Sequence, residues 1–275
     1  MSSALTTPPD APPSTAPATP RETLIYTIAG LLRGIRHVAV GASSPIPAAG
    51  AMLCRALAER DGDPRVRLSI LGSVQHNFFT NGSVELFDCA GQGRIDAFFL
   101  GGGQIDGRGN VNLVGAGPYP QSKVRWPGSF GSAYLYFTVP RVILFREEHS
   151  PRVLVDKVDF ISAPGVSEEG VYRTGGPKAL LTSMALFDFD PGRPGFRLRS
   201  IHPGHDLSEV RAATGFTFQA DDSPAVTPPP DAETLALLRG RVLGELSETY
   251  PAFADTLRAE TAEAGALQKE EALHK

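Results

Sequence analysis

The chain is poor in sulfur and indole: two cysteines, three methionines and one tryptophan in 275 residues. Cys54 and Cys89 are too few for a disulfide framework and are not spaced as metal ligands, so they read as buried free thiols in a reducing compartment. No stretch of 18 or more apolar residues occurs, so no transmembrane helix is expected. The first residues are polar and proline-rich, which does not match a secretory signal. Positive charge is not in excess either: 26 Lys and Arg stand against 30 Asp and Glu, a net charge of −4. Neither nucleic acid nor an anionic membrane surface is therefore an expected partner. What remains, 41% hydrophobic and 20% charged residues, suits a cytoplasmic globular protein long enough to bury a sizeable core.

Organisation follows from composition and periodicity. Residues 1–20 hold six prolines among Ser, Thr and Ala, a make-up that cannot bury apolar area and predicts a disordered tail. Residues 21–250 are expected to form one domain, and residues 251–275 an Ala/Glu-rich helical tail, loosely held. Arg21–Leu32 has helical spacing, with Thr19 or Thr23 as N-cap. His37–Gly41 reads as a short strand that runs through a Ser/Pro turn into a small-residue helix over Ala48–Ala58. Arg65–Leu71, Ala97–Leu100 and Val142–Phe145 read as further strands, and Val153–Phe160 mixes strand with turn signals. Ser83 is a plausible cap for a helix over Val84–Cys89. Leu180–Leu186 and Phe196–Ile201 suggest a hairpin, Leu207–Ala213 a short helix, and Asp231–Leu246 an amphipathic helix. Strands alternating with helices and glycine-rich exits indicate an α/β fold with a mostly parallel sheet and helices packed around it.

One stretch stands out, Arg94–Asn112, reading RIDAFFLGGGQIDGRGNVN. A buried strand runs into Gly101-Gly102-Gly103, and Gln104, Asp106, Asn110 and Asn112 follow. Glycine allows close approach of a ligand to the backbone, and successive N–H groups in such a turn can hold a developing oxyanion. The same residues also suit a tight loop whose Asp and Asn cap their own turns.

Five stretches, taken in order, resemble the β subunits of the class I coenzyme A transferases, those of the glutaconate type above all. They are VAVGASSPIPAA (Val38–Ala49), FLGGGQIDGRGNVN (Phe99–Asn112), WPGSFGSA (Trp126–Ala133), VDKVDFISAPG (Val155–Gly165), and His202-Pro203-Gly204 followed by Thr214-Gly215-Phe216. The resemblance implies the fold of that family. It also implies an acyl-CoA substrate, with no cofactor bound permanently and no metal, and an α-type partner subunit sharing the active site. In the family a glutamate attacks the thioester to form a mixed anhydride, and an enzyme–CoA thioester follows. By resemblance Gly101, Gly102, Gly103 and Gln104 line the site near the thioester, with Ser129, Gly131 and Ser132 in a facing turn. Asp106, Asn110 and Asn112 structure the loop.

The sequence departs from that pattern in two places. Leu71-Gly72-Ser73 stands where the family motif opens with the nucleophilic glutamate, and Leu71 can serve neither as nucleophile nor as acid or base. Phe130 replaces a glycine and is expected to narrow the acyl pocket or close the path of coenzyme A. Ser73 and His76 are the weak catalytic candidates in this chain. Glu85 reads as a helix N-terminal acid, Cys54 as core, and His149, after Glu147 and Glu148, as solvated. His202 and His205 sit in a turn with no evident catalytic part. Three functions are compatible: CoA transfer between carboxylic acids; hydrolysis or decarboxylation of an acyl-CoA with a base from the α-type subunit; or a non-catalytic acyl-CoA-binding or scaffold subunit.

Overall fold

The structure, a computed structural model, describes residues 16–79 and 83–273. The tail expected over residues 1–20 lies outside the described residues as far as residue 15. Residues 16–20 belong to the packed structure, with Ala16 and Thr19 buried. In chain order the elements are α1 (Pro20–Leu31), β1 (His37–Val40), α2 (Pro45–Asp61), β2 (Arg67–Ile70), α3 (Ser83–Gly91) and β3 (Ala97–Leu100). Two small ribbons follow, β4 (Gln104–Ile105) with β5 (Val111–Asn112) and β6 (Gly115–Ala116) with β7 (Val124–Arg125). Next come α4 (Ser132–Thr138), β8 (Arg141–Arg146), β9 (Pro177–Thr182), β10 (Ala185–Asp190), β11 (Gly195–Ile201), α5 (Leu207–Ala213) and β12 (Ala225–Val226). The chain ends in α6 (Ala232–Leu237), a π-turn (Leu238–Val242), α7 (Leu243–Leu246) and α8 (Pro251–Leu273). Among the described residues no helix is long and apolar enough to cross a membrane.

The main sheet has the order β12-β11-β10-β9-β8-β3-β1-β2. The run from β9 to β2 is parallel throughout, so five strands end on one edge. Both faces of this run are covered, which is why its strands read as unbroken apolar segments. Alternation divides them: Val38, Val40, Phe99 and Ile143 face α1, α2, the π-turn, α7 and α8. Ala39, Phe98, Leu100, Val142 and Leu144 face α3, α4 and the loops carrying Ile105, Val111 and Leu154.

Several expectations are corrected here. The predicted hairpin is a three-stranded meander, because Leu180–Leu186 straddles a tight turn in which Thr182 Oγ1 accepts from Met184 N and Ala185 N. Val153–Phe160 forms turns instead of a strand, joined to the fold by a bridge between Ile105 and Leu154. The amphipathic stretch 231–246 is interrupted by the π-turn, which presents Arg239 to the fully buried Glu22. Arg239 Nε donates to Glu22 Oε1 at 2.7 Å and Nη2 to Oε2 at 2.8 Å. The helix α8 is not loose at its start: Ala254 and Leu257 are buried, and Thr261 Oγ1 also reaches Glu22. Glu22 closes a capping box with Thr19 at the start of α1. One carboxylate thus ties together α1, the π-turn and α8. Of the two thiols, Cys54 is buried and burial pushes it up to about 11, whereas Cys89 is half-buried, not a core thiol.

Candidate active site

In an open parallel sheet, ligands bind beyond the carboxyl ends of the strands. A cavity of about 800 Å³ lies there, over the ends of β1, β3, β8 and β9, a volume in the usual range for small-molecule sites. Each strand contributes its exit. From β1 come Ser43, held at φ 58°, and Ser44, the N-cap of α2. From β3 come Phe99 and Gly101; from β8, Phe145, Arg146, Glu147 and Glu148; from β9, Ser183. Arg21 of α1 and Phe253 of α8 close the helical side.

The glycine loop is one wall. A Cβ at Gly101 would come within 3.0 Å of the Phe145 carbonyl oxygen; at Gly102, within 2.5 Å of Val111 Cγ1; at Gly103, it would collide with the Trp126 ring. Three side-chain-bearing residues in a row do not fit there. The polar residues that follow hold the turn. Asp106 Oδ1 accepts from Arg108 N and Asn110 N, and Oδ2 from Asn110 Nδ2. Asn112 Nδ2 donates to Gln104 Oε1 and to the Gly115 carbonyl, and Asn110 Oδ1 accepts from Gly165 N. Gln104 was expected at the thioester, but its side chain is turned inward: Nε2 donates to Asp159 Oδ2 at 2.9 Å, and Oε1 also accepts from Asp159 N. Of the residues placed at the thioester by resemblance, Gly101 alone lines the cavity.

Ser129, Gly131 and Ser132 are not among the cavity's lining residues. Ser132 N donates to the Ser129 carbonyl, and a Cβ at Gly131 would collide with the Phe87 ring. The turn that carries them meets the glycine loop through Trp126, whose ring lies over Gly103. Phe130 does not narrow the cavity: it is 85% exposed, with its ring 5.7 Å from that of Phe87.

The exit of β2 lies off the cavity. Leu71 packs half-buried against the core on the α3 side, and its N–H donates to the Val40 carbonyl. Ser73 Oγ donates to Glu248 Oε2 at 2.7 Å and accepts from His76 N; Val74 N donates to Glu248 Oε1. The His76 carbonyl accepts from Ile70 N. His76 Nε2 is buried without a hydrogen-bond partner among the described residues, 3.8 Å from Glu245 Oε2. Burial, reinforced by the Arg55 guanidinium, holds its pKa below the usual imidazole range. Neither Ser73 nor His76 reaches the cavity.

The histidines His149, His202 and His205 are engaged within the fold. His149, expected to be solvated, bonds through Nδ1 to Thr182 Oγ1 at 2.7 Å and through Nε2 to Thr214 Oγ1 at 2.9 Å; burial pushes it down to about 4. His202 is held by Thr227 Oγ1 and the Thr182 carbonyl and is pushed down, also by burial, to about 4. His205 faces Glu209 at 3.5 Å.

Sequence reasoning passed over Arg21, Arg146 and Glu147. Arg21 Nε donates to Glu147 Oε1 at 2.7 Å and its Nη1 bonds Glu260. Glu148 accepts from Ser150 Oγ and from Arg152, and these bonds hold its pKa below the usual carboxylate range. A signal was there: an Arg-Glu-Glu triplet directly after the buried run VILF puts charge at a strand end. Among the described residues no three His, Cys, Asp or Glu are grouped so as to hold a metal ion.

Comparison with known proteins bears on the chemistry. Residues 64–213 match the model of the family described as Coenzyme A transferase. The chain is 33% identical over 153 residues to a 3-oxoadipate CoA-transferase subunit of Pseudomonas knackmussii, covering 54% of this chain and 58% of that one. It is 30% identical over 159 residues to the cholesterol ring-cleaving hydrolase IpdB subunit of Rhodococcus jostii, covering 56% and 62%. The matches thus span less than two thirds of these relatives' lengths. Among solved structures, a variant of the decarboxylase AibA/AibB is similar at a TM-score of 0.68 and 26% identity, over 81% of this chain and 94% of that one.

Proposed function

The chain belongs to the coenzyme A transferase family, and from that premise we propose that it is the β-type subunit of a heteromeric enzyme acting on an acyl-CoA thioester. The observation that carries the reading is the cavity over the carboxyl edge, walled by Gly101 and by the charged exit of β8. The Gly101 N–H, at the cavity wall, stabilises negative charge on the thioester oxygen as a nucleophile adds, while the Gly103 N–H is taken by the Asn112 carbonyl and holds the loop in place. The facing turn, Ser129 to Ser132, is left for the joint with an α-type subunit. Relatives named as single subunits of their enzymes support a heteromer. Coenzyme A enters as part of the substrate, no further cofactor is required, and the setting is the cytoplasm.

A specific observation favours hydrolysis or decarboxylation over CoA transfer. Transfer through an enzyme–CoA thioester needs a carboxylate nucleophile, and the position where the resemblance places it holds Leu71, packed away from the cavity. The reactive group is then supplied by the α-type partner, toward water or toward a substrate carboxylate.

The test is co-purification with a candidate α-type chain, followed by incubation with acyl-CoAs and either acetate or water. Turnover that requires both chains supports the reading. Acyl-CoA binding without turnover under any acceptor leaves a scaffold subunit and overturns it.

A further inference from the structure

We propose that Arg146 is the anion-recognition group of the cavity and takes a carboxylate or phosphate carried by the ligand. The proposal rests on the acyl-CoA reading of this site and adds a chemical requirement on what fills it.

Arg146 is the last residue of β8 and lines the cavity. Its side chain is 40% exposed, within reach of a ligand. Its Nε, however, is shielded from solvent and has no hydrogen-bond partner among the described residues. Leaving a buried donor unmade costs free energy; Nε itself is shielded, so a ligand meets the exposed part of the guanidinium and completes Nε as the side chain shifts toward it. The neighbouring charges do not complete it. The closest carboxylate oxygen in an ion pair with it, Glu148 Oε2, is 3.9 Å from Nη2, beyond hydrogen-bond reach. Glu148 is engaged by Arg152 and Ser150, and Glu147 by Arg21, which also bonds Glu260. Each acid at the β8 exit thus has its own cation, and the Arg146 guanidinium is left over.

A second feature points the same way. The first turn of α2, Pro45 to Pro47, lines the same cavity, and the Ser44 side chain does not cap it; its hydroxyl donates to the Ala42 carbonyl instead. The N-terminus of a 17-residue helix therefore faces the space that Arg146 borders, with the Ile46 N–H as its available donor, since Pro45 and Pro47 carry none and Ala48 N is bonded to the Ser44 carbonyl. A guanidinium fork matches a planar carboxylate or a phosphate in two-point geometry. An acyl-CoA carries such a group in two places: a second carboxylate at the far end of a dicarboxylic acyl chain, or the phosphates of coenzyme A.

The experiment is calorimetric titration of the complex with its α-type partner, as wild type, Arg146→Gln and Arg146→Lys, using glutaryl-CoA, butyryl-CoA and free CoA. Arg146→Gln is expected to weaken binding about tenfold or more. Arg146→Lys restores part of the loss, because it keeps the charge without the fork. A loss confined to glutaryl-CoA assigns Arg146 to the acyl carboxylate; an equal loss for all three assigns it to a coenzyme A phosphate. Affinities unchanged within about twofold for all three overturn the proposal. If the wild-type complex binds none of the three, the acyl-CoA reading itself fails. Glutarate and pyrophosphate, titrated against wild type and Arg146→Gln, then test the guanidinium alone, and equal affinities for the two proteins overturn the anion site.

Discussion

The exits of β2 and β8 stand on one edge of one sheet, separated by β3 and β1, and they are finished in opposite ways. At β2 the chain closes on itself, and the one group of its exit loop left unmatched among the described residues, His76 Nε2, is buried away from the cavity. Leu71 packs into the core, and Glu248 clasps Ser73 and Val74 from the far side of α7. At β8 the chain opens onto the cavity with a triplet of charges, one guanidinium nitrogen of which is buried and unmatched. Hydrogen bonds completed within the protein stabilise the fold and leave a ligand nothing to gain. Groups left incomplete at a cavity wall are those a ligand completes. On this contrast we propose a structural role for the β2 exit and a binding role for the β3 and β8 exits.

The largest expected effect is at the glycine wall. Gly102→Val places a Cβ 2.5 Å from Val111 Cγ1 and displaces the turn, and turnover should fall about 100-fold or more. Unchanged turnover would remove the glycine loop from the account.

Acid is the next lever, and it acts beside the β8 exit. His149 and His202 both bond to Thr182, at the end of β9, and protonate near 4 in the fold against the usual 6.5. As pH falls, the unfolded chain takes up these protons first, so stability declines from about pH 6.5 and levels off below about pH 4. Each histidine contributes on the order of 3 kcal/mol to that loss. Urea midpoints between pH 7.5 and pH 4.5 check it, and His202→Asn should flatten the slope. A pH-independent midpoint contradicts the buried neutral state.

The β2 exit should respond in the opposite sense, with stability moving and turnover not. Glu248→Ala removes the clasp on Ser73 and Val74. It should cost about 1–3 kcal/mol and speed amide exchange at Val74, leaving turnover within about threefold. Leu71→Ala, at a half-buried site, should cost about 1 kcal/mol, with turnover within about twofold. A large loss of turnover from either would erase the distinction between the two exits.

How far the sequence carries this contrast depends on range. The parallel strands were legible because both faces are apolar: AFFL and VILF admit little else, and Ala97–Leu100 forms with the bounds its residues suggest. The glycine loop was legible as a loop, because Gly101 to Gly103 and Asp106 act on near neighbours. Gln104 was misplaced because Asp159, the partner that turns it inward, lies 55 residues away. His149 looked solvated beside two glutamates, since nothing local announces Thr182 and Thr214. The π-turn was hidden for the same reason: Glu22, to which it presents Arg239, stands 217 residues away. The Arg-Glu-Glu triplet was visible, but the cavity it faces is assembled from four strand ends and three helices.

The account turns on Leu71, and intact-mass spectrometry of this chain tests it most directly. The complex with the α-type partner is mixed with acyl-CoA during turnover, with and without borohydride. The prediction is turnover with this chain's mass unchanged, because no carboxylate of its own forms a thioester with coenzyme A. A coenzyme A adduct on this chain, or its borohydride-reduced product, would contradict the account and return the nucleophile to this subunit.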